Sequence, residues 1–251
     1  MAKHGKRYEA ARQAIDREHA YSPVEAVRML KEFPGPKFDE TIEVHFRLGL
    51  NVRHADEQLR GTLMLPHGTG RETRVAVFAE GDKAREAEEA GADVVGSADL
   101  AKRIEEGFTD FDVAIATPDQ MGNVGRLGRI LGPRGLMPNP KSGTVTFDIG
   151  KAVSDAKAGK LEYRTDRGAN VHLAIGKKSF DERQLVENYA AVIDEIVRAK
   201  PAASKGRYIR QVTLATTMSP GVHVDPARIR GIVEELAAQD GTAQEAATVG
   251  A

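Results

Sequence analysis

The sequence has 251 residues, and 41% of them are hydrophobic, which is enough to form one large or two ordinary domains. It contains no Cys, which excludes disulfides, thiolate metal sites and a cysteine nucleophile. The 36 basic and 37 acidic residues give a net charge of −1, which by itself argues against a protein that binds polyanions. No apolar run approaches the ~20 residues of a membrane span, and the charged N-terminus has no signal-peptide core. We therefore expect a cytoplasmic protein with no membrane partner.

The charge is distributed unevenly along the chain. Residues 1–68 carry 11 basic and 10 acidic residues, a net charge of +1, and residues 159–230 carry 13 and 8, a net charge of +5. Residues 71–120 carry 6 basic and 13 acidic residues. The two end segments are therefore mildly basic, and the near-zero sum hides this because the acidity lies in the centre and the tail.

The first end segment predicts a helix followed by a strand. Ser22-Pro23 is a typical helix start, with Ser as the N-cap and Pro in the first turn, and Pro34 ends the helical spacing of apolar residues. From Ile42 to Leu50, apolar residues alternate with polar ones. This period of two predicts a strand with one buried face and one polar face.

From about residue 70, short apolar strands alternate with helices. The predicted elements are strands at 75–78, 94–95 and 112–116, and helices at 82–90, from N-cap Ser97 to about 106, and from Thr117-Pro118 onward. Alternation of this kind is typical of βαβ units, so the centre of the chain is predicted to contain a parallel sheet.

After residue 159 the pattern again resembles that of the first segment. Residues 161–164 and 171–175 are predicted to pair as a hairpin, and a helix is predicted to follow N-cap Asp181. A last strand at 208–216 is predicted to place Arg210 on the same face as Val212.

These patterns predict two domains of mixed α/β and α+β class. Residues 1–68 and 159–230 would together form an α+β domain, and residues 69–158 an inserted, Rossmann-like α/β domain of parallel strands. The chain would cross between them at Pro66, His67 and Gly68 and again at Ala158 and Gly159, and Gly at both crossings suggests a hinge. The Ala-rich acidic tail, residues 231–251, is predicted to be disordered.

The segment from Met121 to Lys141 has five Gly, three Pro and four basic residues and no acidic residue. Gly122, Gly125 and Gly128 are spaced by three, which fits neither G-x-G-x-x-G nor the P-loop pattern. Three interpretations remain open: a nucleotide site of an enzyme, a structural loop with a solvated basic face, and a contact for a polyanion.

No catalytic or metal site is predicted. The seven His are scattered, H-E-x-x-H and G-x-S-x-G are absent, and no Ser has an obvious base partner. We therefore predict no cofactor, no metal ion and no enzymatic activity; the alternative is a nucleotide-binding enzyme that uses the central domain. A further alternative is a protein–protein module whose acidic central face docks a basic partner.

Two separated segments carry the side chains most suited to RNA. Residues 37–43 lie at the entry of the first strand and residues 216–221 at the exit of the last one. Each combines a flexible or flat apolar group, Phe38 or Met218, with small hydrogen-bonding side chains, and this mixture suits the stacking faces and 2′-hydroxyls of structured RNA. The structural alternative is that Phe38 is a core residue and that Pro220-Gly221 is an ordinary turn.

Six motifs, in this order, resemble bacterial large-subunit ribosomal protein L-one, the family of the mobile stalk beside the tRNA exit site. They are KFDETIEV at 37–44, LPHGTGR at 65–71, EAGAD at 89–93, ATPDQMGNVGRLGRILGPRGLMPNPKSGTV at 116–145, IGKKSF at 175–180 and TTMSPGV at 216–222. The resemblance extends to about Asp225 and leaves only the tail uncovered.

The resemblance implies the two-domain fold predicted above and a structural role in the large ribosomal subunit. It implies three partners: large-subunit rRNA at the stalk, deacylated tRNA leaving the exit site, and the protein's own operon mRNA, whose translation many members repress. The RNA contacts that it implies are Lys37, Phe38, Thr41, Glu43, Thr217, Met218, Ser219 and Pro220.

Two features depart from the family pattern. Ser219 stands where the family's usual Thr-Met-Gly-Pro turn has Gly, so Ser219 is expected either to shift the RNA contact or to tighten it through its hydroxyl. The chain is also less basic than is usual in the family. This predicts weaker non-specific attraction to RNA without loss of the specific site.

Overall fold

The computed structural model describes residues 5–228, 231–232 and 236. The prediction of a disordered tail concerns residues that lie, apart from these last three, outside the described part of the chain. The helices are α1 Lys6–Gln13, α2 Pro23–Glu32, α3 Asp82–Glu89, α4 Ala98–Glu105, α5 Met121–Arg126, α6 Gly128–Leu131, α7 Ile149–Lys157 and α8 Glu182–Arg198. The strands are β1 Thr41–Leu48, β2 Arg60–Met64, β3 Val75–Phe78, β4 Val94–Gly96, β5 Val113–Ala116, β6 Lys160–Arg164, β7 Asn170–Lys177, β8 Ile209–Thr216 and β9 Val222–Val224.

The chain divides into two compact units. The first unit comprises Met1–Leu59, Leu65–Gly70 and Tyr163–Ala251, and the second comprises Arg60–Met64 and Arg71–Glu162. The mixed α/β and α+β fold class predicted from the sequence is confirmed, because one sheet is antiparallel and another is parallel. The unit bounds differ from the predicted domain bounds mainly in that Arg60–Met64 belongs to the second unit.

The first unit is built around a four-stranded antiparallel sheet with the order β7-β1-β8-β9. Along β1, Ile42, Val44 and Phe46 are fully buried and alternate with partly exposed residues, as the sequence predicts. The buried face of the sheet packs against α2 and α8. Burial of each such side chain stabilises the fold by roughly 1.5–3 kcal/mol, so this face fixes the register of the strands.

The two helices on this sheet begin where the sequence predicts. In α2, the Ser22 hydroxyl accepts a hydrogen bond from the N–H of Glu25 at 3.2 Å, and the Glu25 carboxylate accepts one from the N–H of Ser22 at 2.9 Å. In α8, the Gln184 side chain accepts a hydrogen bond from the N–H of Asp181 at 3.1 Å. These caps satisfy N–H groups that have no acceptor inside the helix.

The second unit contains a three-stranded parallel sheet with the order β4-β3-β5. All four residues of β3 are buried, which is typical of a central strand with helices on both faces. Two hydrophobic clusters lie on opposite faces of this sheet, one around Leu100 and Ile104 and one around Ile149 and Val153. The βαβ prediction for the centre of the chain is therefore confirmed.

Two local predictions are wrong. Residues 161–164 and 171–175 do not pair as a hairpin: β6 pairs with β2, and β7 pairs with β1 in the four-stranded sheet. Strand β2 is absent from the sequence-based prediction because its residues, RGTLM, show no clear alternation. Arg210 is exposed although Val212 is buried, because an irregularity in register between Arg47 and Leu48 of the partner strand lets Ile209 face the core instead.

Ser97 is the N-cap residue of α4, as predicted, but its side chain does not bond the first turn of the helix. Its hydroxyl is hydrogen-bonded to Gln120 at 2.7 Å and to Glu80. The carboxylate of Asp99 instead accepts a hydrogen bond from the Ser97 N–H at 2.8 Å, and this bond holds the pKa of Asp99 below its ordinary value.

The residues of the predicted hinge lie inside the units and not at the bonds where the chain passes between them. The His67 N–H donates to the Asn188 side chain at 3.0 Å, and Asn188 donates to the Gly68 carbonyl at 3.0 Å. Ala158 is the C-cap of α7, and Gly159 follows it with φ +96°, a left-handed conformation that favours Gly at a helix end. The hinge at Pro66, His67, Gly68, Ala158 and Gly159 stays a prediction. Among the described residues, none of the helices is long and apolar enough to cross a membrane.

Candidate nucleic-acid interface

The structure brings together the two segments that carry the predicted RNA contacts, although 176 positions separate Thr41 from Thr217. The N–H of Thr217 donates to the Thr41 carbonyl at 3.1 Å, and the Thr41 N–H donates to the Thr217 hydroxyl at 3.2 Å. These bonds continue the β1–β8 ladder beyond the Ile42–Thr216 pair. We refer to residues 37–43 and 216–220 together as the paired strip.

A buried carboxylate, Glu40, holds the paired strip together. Glu40 is 2% exposed, and its Oε1 atom accepts hydrogen bonds from the Thr216 hydroxyl and from the backbone N–H of Met218, both at 2.9 Å. Its Oε2 atom lies 3.6 Å from the Nζ of Lys178, which donates to the Phe33 carbonyl at 2.5 Å. A carboxylate removed from water in this way needs such partners, so Glu40 fixes the conformation of both segments.

Two large apolar side chains of the paired strip face solvent. Phe38 is 55% exposed and Met218 is 60% exposed. The structural alternative, in which Phe38 belongs to the core, is therefore wrong. Large exposed apolar groups next to hydrogen-bonded turns are typical of binding surfaces, because they gain free energy only when a partner covers them.

Polar side chains lie in the same segments as these two apolar ones. Lys37 is exposed, and Thr41 is half-buried, with its hydroxyl accepting a hydrogen bond from the Nζ of Lys177 at 2.9 Å. The Glu43 side chain is 45% exposed on the open face of the sheet. Cations, hydroxyls and a carboxylate around two apolar contacts can recognise phosphates, 2′-hydroxyls and base edges of RNA.

The turn that contains Ser219 uses its hydroxyl internally. The Ser219 Oγ accepts a hydrogen bond from the Thr216 N–H at 3.0 Å and donates to the Pro220 carbonyl at 3.0 Å. Ser219 is not among the residues with positive φ, so the backbone here does not demand Gly. Pro220 is buried, so we expect no direct RNA contact from its ring.

The open face of the sheet carries a row of His side chains beside the paired strip. His45 of β1 lies opposite His172 of β7 and Thr213 of β8, and Thr213 lies opposite His223 of β9. The Nδ1 atoms of His45 and His172 are 2.9 Å apart. Burial and the neighbouring His172 lower the pKa of His45, and the nearby Glu43 carboxylate opposes this effect.

Sequence reasoning missed two residues that the structure places in the site. Glu40 lies inside a quoted motif, but only the folded chain shows that it bonds the turn at 216–218. Lys177 also lies inside a motif, and its pairing with Thr41 across β1 and β7 could be found only from the strand register. Among the described residues, no group of three or more His, Asp and Glu is arranged to hold a metal ion.

The Gly-rich segment of the second unit forms helices α5 and α6 and no phosphate loop. Val124, Leu127 and Leu131 are fully buried and anchor these helices to the core. Gly122 and Gly125 face outward, and a Cβ built on either would meet no atom within 4 Å. The segment therefore presents accessible helix backbone beside the exposed side chains of Arg126 and Arg129.

Comparisons with known proteins agree with the family resemblance that the sequence motifs indicate. Residues 30–220 match the model of the ribosomal protein L1p/L10e family. The large ribosomal subunit protein uL1 of Frankia alni is 60% identical over 233 residues, covering 93% of this chain and 98% of that protein. The uL1 proteins of Rubrobacter xylanophilus and Thermobifida fusca are 63% and 60% identical over 89% and 91% of this chain, and 97% of each of those proteins is covered. The relatives are ribosomal proteins and not enzymes, so the predicted resemblance and the predicted absence of enzymatic activity are confirmed. The chain belongs to the ribosomal protein L1p/L10e family.

Proposed function

We propose that this protein is a structural constituent of the large ribosomal subunit, in the cytoplasm, and that its paired strip binds the stalk region of the large-subunit rRNA. The observation that carries the proposal is the exposure of Phe38 and Met218 on two segments that Glu40 and the β1–β8 ladder hold in place. Preorganised contacts of this kind bind with little loss of conformational entropy. The low net charge fits recognition that rests more on shape than on bulk electrostatics.

Affinity for a stalk rRNA fragment tests this proposal. Phe38→Ala and Met218→Ala are each expected to weaken binding by about 1–3 kcal/mol, comparable to the loss of one stacked base. Filter binding at fixed salt concentration measures the effect. Both side chains are exposed, so the variants should keep the stability of the parent protein.

The second unit offers matched controls, because Phe147 is 60% exposed and Met64 is 51% exposed. Phe147→Ala and Met64→Ala remove the same atoms from surfaces outside the paired strip. They should bind the rRNA fragment with the affinity of the parent protein. Equal rRNA affinities for Phe38→Ala and Phe147→Ala would show that the paired strip is not the RNA site.

We further propose that the outward face of α5 and α6 contacts deacylated tRNA as it leaves the exit site. Gly122 and Gly125 leave the helix backbone open to close approach, and Arg126 and Arg129 are exposed beside them. Replacing both Arg residues by Gln should lower tRNA retention at the exit site of reconstituted ribosomes. Arg85→Gln, an exposed change on α3, is the control and should have no effect.

The third part of the proposal is repression of the protein's own operon mRNA. A folded mRNA element that reproduces the shape of the rRNA site would be bound by the same paired strip. The operon mRNA leader and the rRNA fragment should therefore compete for the protein, and Phe38→Ala should weaken both. Simultaneous binding of the two RNAs would contradict this part.

A further inference from the structure

A cleft lies beside Met218, and the paired strip supplies only part of its lining, namely Glu40, Met218 and Ser219. Its volume is about 390 Å³, within the range of sites that hold small organic groups. One wall is the first turn of α1, and the other walls are the chain from Phe33 to Pro36 and the turn at Met218 and Ser219. All of these residues belong to the first unit.

The lining of the cleft combines flat apolar surfaces with buried acceptors. Phe33, Pro36 and Met218 supply apolar surfaces against which a planar ring can stack. Glu40 also lines the cleft, and its Oε2 lies 3.6 Å from the Nζ of Lys178, which is longer than a hydrogen bond. This carboxylate oxygen therefore retains capacity to accept an N–H, such as that of a nucleobase.

Two cations stand at the mouth of the cleft. Lys6 and Arg7 line it and are exposed, at the N-terminal end of α1, where the helix dipole favours anions. The Nη1 atom of Arg7 donates to the Gly35 carbonyl at 2.7 Å, and this bond fixes the position of the guanidinium group. A guanidinium has five N–H donors, so others can bind a phosphate.

We propose that this cleft binds a single nucleotide of the bound RNA, with its base unstacked and inserted between Met218 and Pro36 and its phosphate at Lys6 and Arg7. The inference rests on the proposed RNA-binding function, because Met218 belongs both to the paired strip and to the cleft. An RNA that covers Met218 would pass over the mouth of the cleft. An apolar slot, a carboxylate acceptor and a cationic mouth match the base, its N–H groups and its phosphate.

Abasic substitution in the RNA, combined with a cleft-filling variant, tests the inference. Each unpaired nucleotide of a stalk rRNA fragment is replaced in turn by an abasic one. One abasic position is expected to weaken binding to the parent protein by about 5- to 150-fold, the equivalent of one stacked base. Ala11→Leu places a larger side chain in the cleft, and with this variant the same abasic position should cause no additional loss.

A second variant covers the case in which Ala11→Leu fails to fold, since Ala11 is only 4% exposed. Lys6→Gln combined with Arg7→Gln keeps the cleft open and removes the cations at its mouth. This double variant should weaken RNA binding at least tenfold. Combining it with the same abasic position should weaken binding by less than the product of the two separate effects. Arg12→Gln, an exposed change on the same helix away from the cleft, should keep the parent affinity.

Three outcomes overturn the inference. In the first, every abasic position weakens RNA binding by the same factor for the parent protein and for both cleft variants. In the second, the cleft variants change self-association in sedimentation and leave RNA affinity unchanged, which would make the cleft a protein contact. In the third, Phe38→Ala weakens RNA binding but the cleft variants do not, so the proposed function stands and the cleft assignment fails. If the parent protein itself does not bind the rRNA fragment, the proposed function fails first.

Discussion

The carboxylate of Glu40 accepts a hydrogen bond from the backbone N–H of Met218 at 2.9 Å, across 178 positions of the chain. The same oxygen also accepts one from the Thr216 hydroxyl. One buried side chain therefore determines where the exposed Met218 stands relative to Phe38. The RNA contacts that we propose depend on this internal bond as much as on their own side chains.

We predict that Glu40→Ala destabilises the protein by about 3 kcal/mol or more, because it leaves the Thr216 hydroxyl and the Met218 N–H without their acceptor and removes the counter-charge of Lys178. Glu40→Gln keeps an amide oxygen for the two hydrogen bonds and should lose about 1–3 kcal/mol. RNA affinity should fall in the same order. Urea unfolding and filter binding measure the two effects.

Glu32→Ala is the control for these variants, since Glu32 is an exposed acidic residue of the same unit. It should leave both stability and affinity unchanged. An unfolding free energy for Glu40→Ala equal to that of Glu32→Ala would show that the carboxylate does not hold the turn.

The sequence predicted those parts of the fold that repeat at short range. The alternation along β1 and the N-cap at Ser22 are local patterns with local physical causes, and both are present. The pairing of β7 with β1 and of β6 with β2 depends on contacts far apart in the chain, and proximity in sequence wrongly favoured a hairpin. Residues 166–170 do form a tight turn, in which the Ala169 N–H donates to the Asp166 carbonyl at 3.2 Å and the Asp166 N–H donates to the Asn170 carbonyl at 2.9 Å. The strands on either side of this turn nevertheless pair with different partners, which the turn residues alone cannot show.

In the site, too, the residues that follow from local patterns were predicted and those that depend on long-range contacts were not. Phe38 and Met218 were predicted because a flat or flexible apolar group at the end of a strand is visible in the sequence. Glu40 was not, because an acidic residue before a strand is usually solvated, and its burial follows only from the approach of Thr216. The motif resemblance supplied the set of RNA contacts, but it could not show that Pro220 is buried.

Ser219→Ala is predicted to lower stability by about 0.5–1.5 kcal/mol, because the N–H of the buried Thr216 loses the hydroxyl that accepts its hydrogen bond. Ser219→Gly should lose a similar amount, since the backbone there has no positive φ that would favour Gly. RNA affinity should change less than twofold in both variants. A tenfold gain in affinity for Ser219→Gly would show that the Ser side chain obstructs the RNA.

The pKa of His45 is expected to lie below 6.5 in the folded protein, because the ring is partly buried and faces His172. The folded state therefore favours neutral His45, and its contribution to stability is present above the ordinary pKa and is lost as the pH falls through the lowered pKa. His172→Gln removes the like-charged neighbour and leaves Glu43, so it should raise the pKa of His45. NMR titration of the ring protons measures this shift, and an unchanged pKa in His172→Gln would contradict the coupling.

The same coupling predicts that His45→Gln makes stability less dependent on pH. As the pH falls from about 7.5 to about 5, the unfolded chain binds a proton at His45 more readily than the folded protein does, and this difference favours unfolding of the parent protein but not of the variant. The pKa of Asp166, which lies near His172, is below its ordinary value because its partial burial is outweighed by hydrogen bonds from Asn170 and Gly168, so this carboxylate does not titrate in the same range. Urea unfolding at several pH values should therefore give a smaller loss for the variant, and equal losses would contradict this.

Gly125→Ala is predicted to stabilise the second unit by about 0.5–1 kcal/mol, because position 125 lies within helix α5 and its Cβ would meet no atom within 4 Å. Gly132→Ala is the matched control and should destabilise, since its Cβ would lie 2.5 Å from the carbonyl oxygen of Gly128. Thermal unfolding of the two variants measures the difference.

If the outward face of α5 also contacts tRNA closely, Gly125→Gln should lower tRNA retention at the exit site although the helix remains folded. A destabilising Gly125→Ala would mean that this face is already covered by protein, and it could then not serve as a contact for RNA.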